Sequence, residues 1–121
     1  MTCDTVLLDV DGTLIDSTYH CAIAWAQAFE EFGIKPPLWR IHRAIGMGGD
    51  QLVPHVTDEH VEDEHGEALR GAWEDAYRPM MDDVRAFDGV GELVRMLQGR
   101  GVKVALATSS NSEFAEKALE K

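Results

Sequence analysis

Residues 7–17 read LLDVDGTLIDS, and this stretch ends an apolar run with two aspartates that are one residue apart. Residues 5–10 are short, apolar and rich in β-branched side chains, which is typical of a buried strand whose carboxyl end meets solvent. If strand geometry continues, the side chains of Asp9 and Asp11 lean to the same side, where their like charges repel each other. Some structural or chemical role must therefore offset the repulsion between these two carboxylates.

One such role is a catalytic or metal site. A divalent cation relieves the repulsion, and the two carboxylates can then act as a nucleophile or ligand and as a proton donor. Gly12 lets the backbone approach a ligand closely, and the amides around it can point at an anion. The alternative is a strand followed by a solvated Asp-Gly turn. An EF-hand calcium loop is excluded, because Leu14 occupies the glycine position and His20 the glutamate position.

The remaining pattern predicts a parallel α/β fold with a large helical insertion. Residues 102–108 repeat the design of the first strand, and the segments between the two strands carry apolar residues at helical spacing. This order of elements indicates a Rossmann-like parallel sheet, formed by residues 1–16 and 84–121, with residues 17–83 as a helical domain. Two strands alone leave faces and edges uncovered, so the sheet core is expected to be incomplete here. The acidic helix of the insertion is expected to end before Pro79.

Charge and cysteine content narrow the possible partners. The 121 residues include 22 acidic and 11 basic side chains, for a net charge of −11, which repels phosphate backbones and anionic lipids. We therefore expect neither nucleic acid nor membrane as a partner, and a phosphorylated small molecule would need a metal ion or a local cluster of donors. Two cysteines outside any Cys-x-x-Cys motif, and no signal-peptide pattern, favour a cytoplasmic location.

Two segments resemble a known family. DVDGTLIDS resembles the first motif of the haloacid dehalogenase superfamily, and residues 87–111, FDGVGELVRMLQGRGVKVALATSSN, resemble the run that leads into its second motif. The helical block between them is similar in place and size to the cap of the phosphoglycolate phosphatase and β-phosphoglucomutase branch. The resemblance implies a Mg²⁺-dependent phosphomonoester hydrolase that acts on a small phosphorylated metabolite through an aspartyl-phosphate intermediate.

The same resemblance implies a role for each matching residue. Asp9 would be the nucleophile and a metal ligand. Asp11 would protonate the leaving oxygen, then deprotonate the hydrolytic water, and would contact the metal through its main-chain carbonyl. Gly12, Thr108 and Ser109 would bind the phosphoryl group, Thr108 because it ends the second strand beside the end of the first.

The sequence GMGGD at residues 46–50 falls where the resembling family has a cap loop that closes over the substrate. Gly46, Gly48 and Gly49 would then help to select the leaving group, and Arg43 could meet an anionic substrate. The alternative is a flexible connection between helices with a surface arginine beside it.

Two further motifs of the resembling family have no counterpart in this chain. One supplies a Lys or Arg beside the phosphate, and the other supplies acidic residues for Mg²⁺, yet no Asp occurs after Asp88. We therefore expect the chain to be the front part of a longer hydrolase and to be inactive alone. A phosphomutase of the same superfamily and a non-catalytic binding module are the alternative functions.

Overall fold

The computed structural model describes residues 3–108 and 112–120, which form two strands and six helices. In chain order the elements are β1 (Thr5–Asp9), α1 (Thr18–Glu31), α2 (Leu38–Ala44), α3 (Gly49–Val56), α4 (Glu59–Met80), α5 (Val90–Gly99), β2 (Lys103–Ala107) and α6 (Ser112–Leu119). They divide into two compact units. The sheet unit comprises the described residues of 1–16 and 84–121, and the helical unit comprises residues 17–83.

The sheet unit is built on one parallel strand pair. In its register Thr5 lies opposite Lys103 and Asp9 lies opposite Ala107, so both strands end at the same level. Side chains along each strand alternate between exposed and half-buried, and Leu7 is 71% exposed. Helix α5 packs against β2. One face of this small sheet is therefore open to solvent within the described chain.

The segments that lead into and out of the helical unit lie side by side in the sheet unit. The Asp16 N–H donates to the Arg85 carbonyl oxygen at 2.7 Å, and the Phe87 N–H donates to the Leu14 carbonyl oxygen at 2.9 Å. These bonds join residues 14–16 to residues 85–87 in antiparallel fashion. The two connecting segments are therefore hydrogen-bonded to each other and are not independent loops.

The helical unit contains a closed apolar core. Helix α1 packs against α2 and α4, and α3 packs against the same two helices. In α1, Ala22, Trp25 and Phe29 follow each other at three- and four-residue spacings, so all three face the core. The Trp25 and Trp73 rings stack with centroids 5.6 Å apart, and the Trp73 and Tyr77 rings stack at 4.9 Å. The buried members of this core are Ala22, Trp25, Ala28, Phe29, Ile41, Ala44, Leu52, Val53, Val56 and Leu69.

One sequence-based prediction about helix α4, that it ends before Pro79, is wrong. It begins after Asp58, whose Oδ1 accepts a hydrogen bond from the Val61 N–H at 2.9 Å, as a capping carboxylate should. The helix then includes Pro79 and ends at Met80, although proline was expected to stop it earlier. Pro79 has no N–H to donate to the Asp75 carbonyl oxygen, and the helix ends one residue later, so the disturbed turn is its last. Among the described helices, none combines the length and apolar composition that crossing a membrane requires.

Candidate active site

The carboxyl ends of the two strands bring two predicted site residues to one edge of the sheet. Asp9 is the last residue of β1 and pairs with Ala107, the last residue of β2. Thr108 follows Ala107 directly, so it leaves the sheet beside Asp9. Neighbouring strands lie about 4.8 Å apart, and this edge is where open parallel sheets bind their ligands. The register thus places Thr108 one residue beyond the partner of Asp9.

A tight turn after β1 sets the direction of the chain past Asp9. The N–H groups of Thr13, Leu14 and Ile15 all donate to the Val10 carbonyl oxygen, at 3.2, 2.8 and 3.2 Å. Gly12 has a φ of 76°, a left-handed conformation that strains any residue with a side chain. Its own N–H donates to the Ile15 carbonyl oxygen at 2.9 Å. The Gly12 N–H therefore closes the turn, although the sequence had suggested that amides around Gly12 could bind an anion.

This turn returns Thr13 to Asp9, a contact that sequence reasoning missed. The Thr13 Oγ1 hydroxyl donates to Asp9 Oδ2 at 3.0 Å. Within residues 3–108 and 112–120, no other hydrogen bond reaches the Asp9 carboxylate. The hydroxyl thus fixes one carboxylate oxygen, and Oδ1 has no hydrogen bond within the described residues. The signal was available in the sequence, since a glycine between Asp9 and a hydroxyl residue four positions later permits such a return.

Asp11 lies half-buried in the same turn, with its backbone paired to that of Ile15. Carboxylate and carbonyl oxygens are the ligands that Mg²⁺ prefers, and this ion is commonly held by one or two carboxylates together with waters and substrate phosphate. Across the described ranges, 3–108 and 112–120, no group of three or more His, Cys, Asp and Glu side chains is arranged to hold a metal. Asp9 and Asp11 thus fit Mg²⁺ as a partial ligand set.

Five predicted site residues remain, and the structure describes four of them. Ser109 is outside the described residues. Arg43 is exposed in the last turn of α2, with its guanidinium 5.9 Å from the centroid of the Trp39 ring. Gly46 has a φ of 112° between α2 and α3, Gly48 precedes α3, and Gly49 is the first residue of α3. These four residues belong to the helical unit.

Comparison with known proteins agrees with the resemblance of the motifs. The sequence model of the haloacid dehalogenase-like hydrolases matches residues 3–121. A phosphoglycolate phosphatase of Pseudomonas putida is 31% identical over 116 residues, which is 90% of this chain and 42% of that protein. A phosphoglycolate phosphatase of Nitrosospira multiformis is 31% identical over 115 residues, 90% of this chain and 51% of that protein.

Solved structures show the same fold. A hydrolase from Pseudomonas syringae superimposes with a TM-score of 0.90 at 33% identity, covering 98% of this chain and 55% of that one. A hydrolase of family IA, variant 3, from Entamoeba histolytica superimposes with a TM-score of 0.77 at 26% identity, covering 99% and 55%. The predicted α/β class, with a Rossmann-like sheet and a helical insertion, is confirmed.

The chain spans about half the length of the curated relatives it matches, between 42% and 53% for those compared. Its match to the family nevertheless extends from residue 3 to residue 121 and includes both strands and the whole helical unit. The chain therefore belongs to the haloacid dehalogenase-like hydrolases.

Proposed function

We propose that the protein is a Mg²⁺-dependent phosphatase that hydrolyses a small phosphorylated metabolite through a phosphorylated Asp9. The observation that carries this proposal is the carboxylate of Asp9 at the sheet edge, held through Oδ2 by Thr13 and lying beside the strand that ends at Ala107, directly before Thr108. A nucleophilic carboxylate needs one oxygen fixed in place and the other directed at the reacting atom. The Asp9 carboxylate meets the first requirement.

In the first step, Asp9 Oδ1 attacks phosphorus as the bond from phosphorus to the ester oxygen breaks. Asp11 gives its proton to the departing ester oxygen, so the product leaves as an alcohol. The Thr108 hydroxyl donates a hydrogen bond to a phosphoryl oxygen. Ser109, which lies outside the described residues, is the second donor that the sequence predicts. Gly12 contributes the turn that positions Asp11 and Thr13, because its own N–H is bonded to Ile15.

In the second step, the phosphorylated Asp9 is hydrolysed. Asp11, now ionised, takes a proton from water as the water oxygen attacks phosphorus. The bond between phosphorus and Asp9 Oδ1 breaks, inorganic phosphate leaves, and both carboxyl groups return to their starting protonation states. The same residue therefore acts as acid in one step and as base in the next.

Mg²⁺ would be held by the Asp9 carboxylate and the Asp11 main-chain carbonyl, together with ligands from waters and substrate. When bound, it supplies positive charge that offsets the carboxylates and the phosphoryl group in a chain of net charge −11. Thr13 orients the Asp9 carboxylate whether or not the ion is present, because the hydrogen bond between them lies within the chain.

For substrate selection we propose the loop of the helical unit that contains Gly46, Gly48 and Gly49, with Arg43 before it. The exposed guanidinium of Arg43 suits an anionic group on the substrate. Relatives are named phosphoglycolate phosphatases, so phosphoglycolate, which carries both a phosphate and a carboxylate, is the first compound to test. The free cysteines Cys3 and Cys21 suit the reducing cytoplasm, where we place the reaction.

The experiment measures phosphate release by the full-length protein from phosphoglycolate and a panel of sugar phosphates, with Mg²⁺ and with excess chelator. Asp9→Asn should lower the rate by more than about a thousandfold, because the amide is a poor nucleophile. Asp4→Asn makes the same chemical change at the other end of β1, on an exposed residue, and should leave the rate unchanged.

Two other outcomes of this assay would favour an alternative function. Equal rates for Asp9→Asn and the wild-type protein would overturn the proposed mechanism and favour a binding module. Conversion of a sugar phosphate into its isomer, with little phosphate released, would instead identify a phosphomutase.

A further inference from the structure

One exposed surface of the helical unit has an unusual composition for this acidic chain. The α2 patch combines apolar, aromatic and cationic side chains that the fold leaves at the surface. Trp39 is 62% exposed and Tyr19 is 63% exposed. Tryptophan, tyrosine and arginine are the residues that dominate binding energy at protein interfaces. The members of the α2 patch are Tyr19, Ile23, Leu38, Trp39, Arg40, His42 and Arg43.

The side chains of the α2 patch are held in place by each other. The Arg43 guanidinium lies 5.9 Å from the centroid of the Trp39 ring, and the His42 ring lies 4.8 Å from that of Tyr19. The ring contact joins α1 to α2, and the contact between Arg43 and Trp39 lies within α2. Residues 32–49 contain no Asp or Glu. Among the described residues, neither Arg40 nor Arg43 forms an ion pair with a carboxylate. The patch is therefore a preorganised cationic surface without a counter-charge.

Helix α4 carries the opposite charge. Glu59, Asp63 and Glu67 are exposed and follow each other at four-residue intervals, so they form one stripe, the α4 stripe. Like charges at this spacing destabilise a helix. None of the three forms an ion pair within the part of the chain that the structure describes. An open depression of about 510 Å³ lies along the stripe, and its lining includes Asp63, Glu67 and the Arg70 that pairs with Glu62. Within the described residues, the three carboxylates of the stripe therefore have no ion-pair partner, and neither do the two arginines of the patch.

The fold prevents these two surfaces from neutralising each other in one chain. Helix α2 packs against α1 and α3, and the same two helices pack against α4. Helices α1 and α3 thus separate α2 from α4. By contrast, the arginines of α4 are satisfied locally, since Arg70 pairs with Glu62 at 2.9 Å and Arg78 pairs with Asp75 at 3.1 Å.

We propose that the α2 patch of one copy docks on the α4 stripe of a second copy, so that the protein associates head to tail. The net charge of −11 repels copies at long range. At an ionic strength of about 0.15 M, charges more than about 8 Å apart are largely screened, so contact between opposite surfaces decides the outcome. Because the two surfaces differ, the contact is heterologous and joins copies in series. Helix α2 is short, so the contact is weak and concentration-dependent.

Sedimentation velocity of the full-length protein over a range of concentrations tests this. The weight-average sedimentation coefficient should rise with concentration at an ionic strength of about 0.15 M and fall when the salt concentration is raised well above that. Arg40→Glu with Arg43→Glu makes both surfaces acidic and should abolish association. Asp63→Lys with Glu67→Lys makes both surfaces basic and should do the same.

Mixing the two double variants provides the decisive measurement, because each then offers what the other lacks. Association should return in the mixture to about the wild-type level, while each variant alone stays monomeric. Arg95→Glu with Lys103→Glu makes the same change in net charge on exposed residues of the sheet unit and should leave association unchanged. Circular dichroism verifies that all variants are folded.

A wild-type protein that stays monomeric at every concentration overturns the proposal. So does association that persists in either double variant, or a mixture that fails to associate although both variants are folded. None of these measurements uses a substrate, so they test association separately from the proposed reaction, although Arg43 takes part in both proposals.

Discussion

The helical unit and the sheet unit bury their side chains in different places. In the helical unit, four helices enclose a continuous core that includes Trp25, Phe29 and Leu69. In the sheet unit, the strands are only half-buried and α5 has no fully buried residue, while Val10 and Ile15 are almost completely enclosed. The turn beside Asp9 is therefore among the best packed parts of the sheet unit. Within the described residues, packing and hydrogen bonds hold the turn of the candidate site, while the strands beside it are only half-buried.

The largest expected effect is a loss of stability when a side chain of the helical core is removed, compared with a small loss when one on the sheet is removed. Phe29→Ala removes a fully buried ring from the helical core and should lower the free energy of unfolding by about 3–5 kcal/mol. In this 121-residue chain, Leu7→Ala, on the open face of the sheet, should change it by less than about 0.5 kcal/mol. Urea unfolding monitored by circular dichroism measures both. All three tryptophans lie in the helical unit, so their fluorescence follows that unit alone. Equal losses in the two variants would contradict the comparison.

The next effect concerns the hydrogen bond that fixes Asp9. Thr13→Val keeps the shape of the side chain and removes the hydroxyl that donates to Oδ2. A bond to a charged group contributes about 1.5–3 kcal/mol, and Thr13 is exposed, so we expect a roughly tenfold fall in kcat. Thr13→Ser retains the donor and should keep most of the activity. A Thr13→Val protein with the wild-type kcat would show that the bond has no part in orienting the nucleophile.

A third effect tests whether the site turn depends on its glycine. Gly12→Ala places a side chain at a φ of 76° and should cost about 1–2 kcal/mol of stability, together with activity, because Asp11 and Thr13 shift. The control is Gly99→Ala, at the end of α5, where an added Cβ meets no atom within 4 Å. Urea unfolding and phosphate release measure the two consequences. If both glycines tolerate alanine equally, the turn is not held in the left-handed conformation.

The smallest effect compares two glycines inside α4. At Gly71 an added Cβ meets nothing within 4 Å, so Gly71→Ala should stabilise the helical unit by about 0.5–1 kcal/mol. At Gly66 the Cβ would displace the Glu62 carboxylate, which pairs with Arg70 at 2.9 Å. Gly66→Ala should therefore gain less or lose stability. Tryptophan fluorescence during urea unfolding compares the two, and a larger gain at Gly66 would contradict the packing described for this face.

The sequence by itself determined the elements and the family. Residues 5–10 and 102–108 are apolar and β-branched, and local preference of this kind acts through near neighbours, so the two strands and the α/β class could be predicted. The pair Asp9 and Asp11 could be singled out for the same reason, since two carboxylates that close need a counter-charge whatever the fold. Their catalytic roles, and those of Gly12 and Thr108, stay predictions until the assays are done.

Only the tertiary structure decided how these residues meet. The register that pairs Asp9 with Ala107 joins strands about a hundred residues apart and is set by long-range packing, which no local pattern encodes. The bond from Thr13 to Asp9, and the use of the Gly12 N–H by Ile15, depend on how the turn closes. The separation of the α2 patch from the α4 stripe likewise arises from two helices packing between them. Such relations exist only once the chain has folded, because they join groups that the sequence keeps apart.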